Sequence, residues 1–200
     1  MFPPHDDRSS RLTRLPGSSQ PDEFSPQERS LLLRLAHEAI AATLEQREIS
    51  LAPPCAHLAE PRGAFTTLYY RGGLRGCVGY VFPVTPLYRT VAESACGAAF
   101  DDSRFSPVTR DEARELQVSL SVLSPLQPIH PEQVEIGRHG LLISHGLDRG
   151  LLLPQVPGEH GWDRIAFLEQ TCRKAGLPLN AWQTGAKLEA FTAEVFADPS

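Results

Sequence analysis

Leu74-Arg75-Gly76-Cys77-Val78-Gly79-Tyr80 sets a thiol and a guanidinium two residues apart in a segment otherwise poor in large side chains. The thiolate is the nucleophilic and ligand-binding form of cysteine, and a fixed positive charge beside it favours that form. The chemistry open to the pair is attack on an electrophile, or capture of a ligand, at Cys77 with Arg75 as electrostatic partner. Upstream, Gly63-Ala64-Phe65-Thr66-Thr67-Leu68-Tyr69-Tyr70 is β-branched and aromatic and leads into Arg71-Gly72-Gly73. Two extended runs joined by Gly-Gly predict a β-hairpin. With side chains alternating, Leu74, Val78 and Tyr80 share one face, and Arg75 and Cys77 the other. Gly76 and Gly79 weaken a strand and mark a close approach of another backbone or a ligand. The competing reading is a buried cysteine in a tight hairpin, with Arg75 paired to a carboxylate elsewhere.

Further residues could join that chemistry. Glu93 stands with Ser94 among small apolar residues, as a second catalytic candidate or as part of a solvated helix face. Asp101, Arg104 and Phe105 form a polar and aromatic loop that either binds a ligand or braces itself. Gln155 follows a strongly apolar run and could donate at a cleft edge. Trp162 beside Gly161 could stack a planar ligand or staple a helix. No general base is local to Cys77: His130, His139, His145 and His160 are distant in sequence, so a Cys–His pair would have to be made by the fold. His139 and His145 would share a face if their run were one straight strand, but no carboxylate stands at a convincing spacing, and no metal is assigned. Cys172 belongs to the apolar side of its helix.

The elements that must position these residues can be read along the chain. Residues 1–24, rich in Pro, Ser, Asp and Arg, predict a disordered tail. Ser25-Pro26-Gln27-Glu28 carries a cap, a first-turn proline and a capping-box glutamate. Leu31, Leu32, Leu35, Ala39, Ala42 and Leu44 then form a helical stripe. Thr85-Pro86 opens a second helix through Phe100, lined by Leu87, Val91, Ala95 and Ala98. Thr109 to Glu112 is another capping box. Leu116, Val118, Leu120 and Val122 alternate with polar residues as in a half-buried strand. Two apolar runs flank His145 to Arg149, a longer hairpin loop. Asp163 to Ala175 has helical spacing, ending at Gly176 and Pro178. Leu188 to Phe196 reads as one closing strand. Grouped strands, hairpins and intervening helices predict an α+β fold, with the domain over residues 25–197.

With 200 residues and 41% hydrophobic content, the chain is large enough to bury a core without disulfide or metal. Cys55, Cys77, Cys96 and Cys172 have no C-x-x-C spacing, which argues against a zinc ribbon or thioredoxin-like motif and suits a reducing compartment. A net charge of −5 with no long basic cluster argues against a nucleic-acid binder. No long apolar run or signal-like core is present, so a soluble cytoplasmic protein without membrane contact is expected.

Leu74 to Gly79 resembles the Leu-Arg-Gly-Cys-Ile-Gly signature of the AMMECR domain family, with Val78 in the Ile position. Four more blocks agree in order: Ala98 to Phe105, Val118 to Pro125, Gly150 to Val156, and Gly161-Trp162-Asp163 through Cys172 to Pro178. Tyr80 replaces a usual small polar residue, and Ser103 and Ser106 stand where proline is common. The resemblance implies two α+β subdomains sharing one interface, mostly antiparallel sheet with flanking helices, and a site centred on Leu74 to Gly79. It further implies a role beside a Memo-like protein and a radical-SAM enzyme, as in the bacterial AmmeMemoRadiSam set, acting on a small molecule or protein substrate. The chain has no cysteine triplet for an iron–sulfur cluster, so no cofactor is assigned and radical chemistry falls to a partner. A non-catalytic interaction module and a stand-alone thiol enzyme using Cys77 are the alternatives.

Overall fold

The computed structural model describes residues 23–49 and 51–199, so most of the predicted tail lies outside the described residues. Packing begins at Phe24, which is 1% exposed and stacks on the His57 ring at 4.9 Å. The first helix, α1 (Pro26–Glu45), starts at the expected capping box: Glu28 N–H reaches the Ser25 hydroxyl, and the Glu28 carboxylate accepts from Ser25 N–H. Its buried side is Leu32, Leu33, Ala36, Ala39, Ile40 and Ala42. Leu31, placed on the stripe by its spacing, is exposed instead.

Next come β1 (Ala64–Tyr70) and β2 (Gly73–Tyr80), the predicted hairpin. Arg71 and Gly72 turn it with positive φ. Leu68 opposes Gly76, whereas Tyr69 opposes Leu74, so Arg75 is the extra residue of a β-bulge. A bulge breaks strict alternation. Arg75 and Cys77 therefore do not share a face as a matched ladder would require, and the expected pairing of the two is corrected.

The second helix, α2 (Leu87–Cys96), runs on into a π-helical turn, Gly97–Asp101. The turn lies against β2: a Cβ at Gly76 would overlap the Ala98 carbonyl oxygen, and one at Gly97 would come within 2.9 Å of Val78 Cγ1. The close approach inferred at Gly76 is thus made by backbone of the same chain. A short helix, α3 (Arg110–Ala113), with its Thr109–Glu112 capping box leads to β3 (Leu116–Leu123).

Beyond β3 the chain enters β4 (Gln127–Pro128), β5 (Gly140–His145) and β6 (Asp148–Leu152), then α4 (Val156–His160) and α5 (Arg164–Lys174). The β5–β6 turn is tighter than expected: His145 pairs with Asp148, leaving only Gly146 and Leu147 between them. The closing strand is two strands, β7 (Lys187–Phe191) and β8 (Ala193–Ala197). The break at Thr192 assigns them to different sheets, of order β2-β1-β3-β8 and β4-β7-β5-β6. All pairings within both sheets are antiparallel.

The result is the expected α+β fold with two subdomains. α1 and α2 cover one face of the first sheet around Leu58, Leu68, Leu87, Val118 and Leu120; a second core gathers Leu141, Ile143, Phe167, Leu168 and Cys172 under α5. The two are joined by a two-stranded ribbon. β3 passes into β4 while β7 passes into β8, and the Ser124 N–H donates to the Thr192 carbonyl (2.9 Å) as the Thr192 N–H donates to the Ser124 hydroxyl (2.9 Å).

Candidate functional site

Register across the first sheet defines the surroundings of Cys77. Thr67 opposes both Cys77 and Ser119, and Phe65 opposes both Gly79 and Ser121. Their neighbours on β1, Ala64, Thr66 and Leu68, are buried toward the helices. Cys77, Thr67, Tyr69, Ser119 and Ser121 therefore occupy the opposite, half-buried face. The Thr67 hydroxyl donates to Cys77 Sγ at 3.3 Å. Burial, with Cys77 as a smaller contribution, pushes the Tyr69 phenol up from its ordinary range.

The guanidinium that serves Cys77 is Arg104, not Arg75. Asp102 Oδ2 accepts the Cys77 N–H at 2.9 Å, and Arg104 Nη2 donates to the Cys77 carbonyl at 3.4 Å. Arg104 also grips Asp102 twice, Nε to Oδ1 at 2.9 Å and Nη2 to Oδ2 at 2.7 Å. The pair thus satisfies both backbone polar groups of Cys77 on the free edge of β2, as an added strand would. Arg104 and then the Cys77 N–H hold the Asp102 carboxyl well below the usual carboxylate range. Asp102 in turn raises Arg104, with Cys77 a lesser cause. The Asp102 side chain is 6% exposed while that of Arg104 is 56% exposed, so the carboxylate is structural and the guanidinium open to a ligand.

Arg75 turns to α3. Its Nε meets Glu112 Oε1 at 2.9 Å and its Nη2 meets Glu112 Oε2 at 3.2 Å and the Pro107 carbonyl at 3.3 Å. Arg75 first, and the Thr109 N–H second, lower Glu112 to about 2. Arg75, 9% exposed, is thus the buried partner of a distant carboxylate, as the competing reading had it. Phe105 divides the two guanidiniums, with Arg75 Cζ 5.9 Å and Arg104 Cζ 5.5 Å from its centroid.

The other candidates scatter. A Cβ at Gly79 would overlap the Phe65 ring, so this glycine makes room for a side chain on the Cys77 face. Glu93 is exposed and faces Arg89, while its neighbour Ser94 is buried against the Thr66 hydroxyl at 2.7 Å. Asp101 is exposed at the end of the π turn. Gln155 and Trp162 belong to the second subdomain, where Trp162 packs on that core and stacks on His160 at 4.5 Å. His139 Nδ1 accepts from Glu135 N–H, and among the described residues no three His, Cys, Asp or Glu side chains gather as a metal site. No histidine among the described residues is hydrogen-bonded to Cys77. Sequence reasoning passed over Asp102 and Thr67. The second carboxylate of Asp101-Asp102, two residues before Arg104, was the available signal for the first, and strand register alone reveals the second.

Comparison with known proteins agrees with this architecture. The AMMECR1 family model matches residues 33–196. Protein MK0488 of Methanopyrus kandleri is 42% identical over 190 residues, covering 88% of this chain and 91% of its own. Protein MJ0810 of Methanocaldococcus jannaschii is 40% identical over 182 residues, covering 86% and 90%. The crystal structure of the uncharacterized protein PH0010 from Pyrococcus horikoshii matches with TM-score 0.68 at 41% identity, over 84% of this chain and 90% of that one.

Proposed function

The chain belongs to the AMMECR1 family, and from that membership we propose that it is the recognition component of a modification pathway, working beside a Memo-like protein and a radical-SAM enzyme in the cytoplasm. Its working surface is the sheet face around Cys77, where the thiol, the Thr67 hydroxyl, the Tyr69 phenol and the Arg104 guanidinium would meet a small-molecule or protein substrate. The carrying observation is the Asp102–Arg104 pair clasped to the Cys77 peptide unit. It fixes the thiol's position and leaves a cation exposed beside it, an arrangement suited to holding an anionic or polarised group. The lack of a hydrogen-bonded imidazole at Cys77 among the described residues favours recognition over a stand-alone thiol enzyme, which needs an adjacent base.

The test mixes the purified chain with Memo-like and radical-SAM proteins from the same source. Size-exclusion chromatography reads assembly, and 5′-deoxyadenosine release reads the radical-SAM protein's turnover. The expected result is a complex and faster turnover, both weakened about tenfold, or ~1.4 kcal/mol, by Arg104→Glu. No complex and no change in either partner's activity would overturn the proposal.

A further inference from the structure

An outer strand presents unpaired backbone N–H and carbonyl groups, which invite another chain unless something blunts the edge. Among the described residues, three of the four sheet edges are blunted. β2 carries the bulge at Arg75, and Asp102 and Arg104 occupy its Cys77 peptide unit. β4 is two residues long and includes Pro128. β6 begins with Asp148 and Arg149, both exposed. β8, Ala193-Glu194-Val195-Phe196-Ala197, has no such device: no strand lies beyond it among the described residues, and it holds no lysine, arginine or proline.

The direction of the β8 backbone follows from its register. Ser124 N–H donates to the Thr192 carbonyl and Asp198 N–H to the Val118 carbonyl, each at 2.9 Å. Hydrogen-bonded and non-hydrogen-bonded pairs alternate along an antiparallel ladder. Glu194 and Phe196 therefore turn their backbone groups to β3, and Ala193, Val195 and Ala197 turn theirs to the free edge. Val195 is 62% exposed on the open face of the sheet. The one charge, Glu194, points to the helix layer, where Arg29 meets it at 2.8 Å and the N–H groups of Glu23 and Phe24 donate to it.

This pattern is complementary to itself. Two β8 strands set antiparallel about a two-fold axis at Val195 pair Val195 with the partner's Val195, and Ala193 with the partner's Ala197. Every residue in those pairs has outward-facing backbone groups. Glu194 then stands across from the partner's Phe196, so like charges are not opposed. The pairing ends on its own at the Thr192 break and at Pro199. We propose that β8 is a dimer interface, joining two copies of this chain edge to edge in one eight-stranded antiparallel sheet. The inference does not rest on the pathway reading. Its axis is perpendicular to the sheet, so both Cys77 faces look to the same side, about 34 Å apart at the usual strand spacing of ~4.8 Å.

Sedimentation velocity of the full chain tests it. A five-residue pairing should give a monomer–dimer equilibrium with a dissociation constant on the order of 10 µM. Val195→Lys sets two ammonium groups opposite each other at the axis, and Val195→Pro removes the central outward N–H from each copy. Each should weaken association by about tenfold or more. Thermal melts of dilute samples check that the variants fold. If neither folds, hydrogen exchange of the wild type decides: the amides of Val195 and Ala197 should gain protection as concentration rises through the dissociation constant, while those of Arg71 and Gly72 do not. A monomer throughout, a dimer that both folded variants keep, or protection independent of concentration overturns the proposal. The edge is then met by another part of this chain or by solvent, or the copies join elsewhere.

Discussion

At Cys77 the backbone N–H and carbonyl are held by Asp102 and Arg104, while Arg75 is held by Glu112 on another element. Substitutions of the two arginines should therefore give different phenotypes. Arg104→Ala removes the exposed cation beside the thiol, frees the Cys77 carbonyl and takes from the buried Asp102 carboxylate its main partner, so Cys77 alkylation at neutral pH should slow several-fold and stability should fall by about 1–3 kcal/mol. Peptide mass spectrometry reads this directly, with Cys55, Cys96 and Cys172 as internal references. Arg75→Ala strands the Glu112 carboxylate in a largely buried site and should cost about 3–5 kcal/mol in urea unfolding. Its native-state alkylation should stay near wild type. If Arg75→Ala slowed Cys77 as much as Arg104→Ala while still folded, the separation drawn by the bulge would be wrong.

Pressed against the Ala98 carbonyl, β2 tolerates no side chain at position 76. Gly76→Ala must push the π turn away and should destabilise by about 1–3 kcal/mol, with hydrogen exchange rising first at Asp101 and Asp102. The start of α1 makes a pH-dependent contact. Glu28, lowered to about 2 by the Ser25 N–H first and by the Ser25 hydroxyl and His57 after it, stabilises the fold above the ordinary carboxylate value of 4.5. That contribution fades as pH falls from 4.5 toward 2. His57, raised above its ordinary 6.5 chiefly by its hydrogen bond to Glu28, stabilises below 6.5 and loses its contribution as pH climbs through the raised value. Thermal melts of the wild type should thus hold a plateau between these limits, and His57→Gln should flatten its alkaline edge. The caps at Ser25 and Thr109 and the hairpin were legible in the sequence, each set by neighbours a few residues apart, although the turn falls at Arg71 and Gly72 rather than at Gly-Gly. The bulge at Arg75, the break at Thr192 and the burial of Asp102 were not, because each is decided by a strand or loop distant in sequence. A resemblance that held Asp102 only within a block, and a hairpin pattern that gave Thr67 only a place on a strand, could not say which atoms they touch.

Each subdomain has its own core, and no residue of the Phe167 cluster belongs to the cluster around Leu68. Phe167→Ala should cost about 3–5 kcal/mol locally, with exchange rising in β5, β6 and β7 while β1 and β2 stay protected. Uniform loss of protection in both sheets would instead mean that the ribbon transmits unfolding from one core to the other. No helix among the described residues is long and apolar enough to cross a membrane. Chain order across the two sheets bears on synthesis. The first sheet draws β1, β2 and β3 from before the second subdomain and β8 from after it. As the chain emerges from the ribosome, β3 therefore presents an open edge until every residue from Ser124 to Thr192 has been made. A nascent first subdomain, however well its helices pack, carries a sticky strand throughout that interval. The inserted subdomain acts as a timer on how long that edge stays exposed, and slow codons within it would lengthen the risk of misassembly without changing any contact in the finished protein.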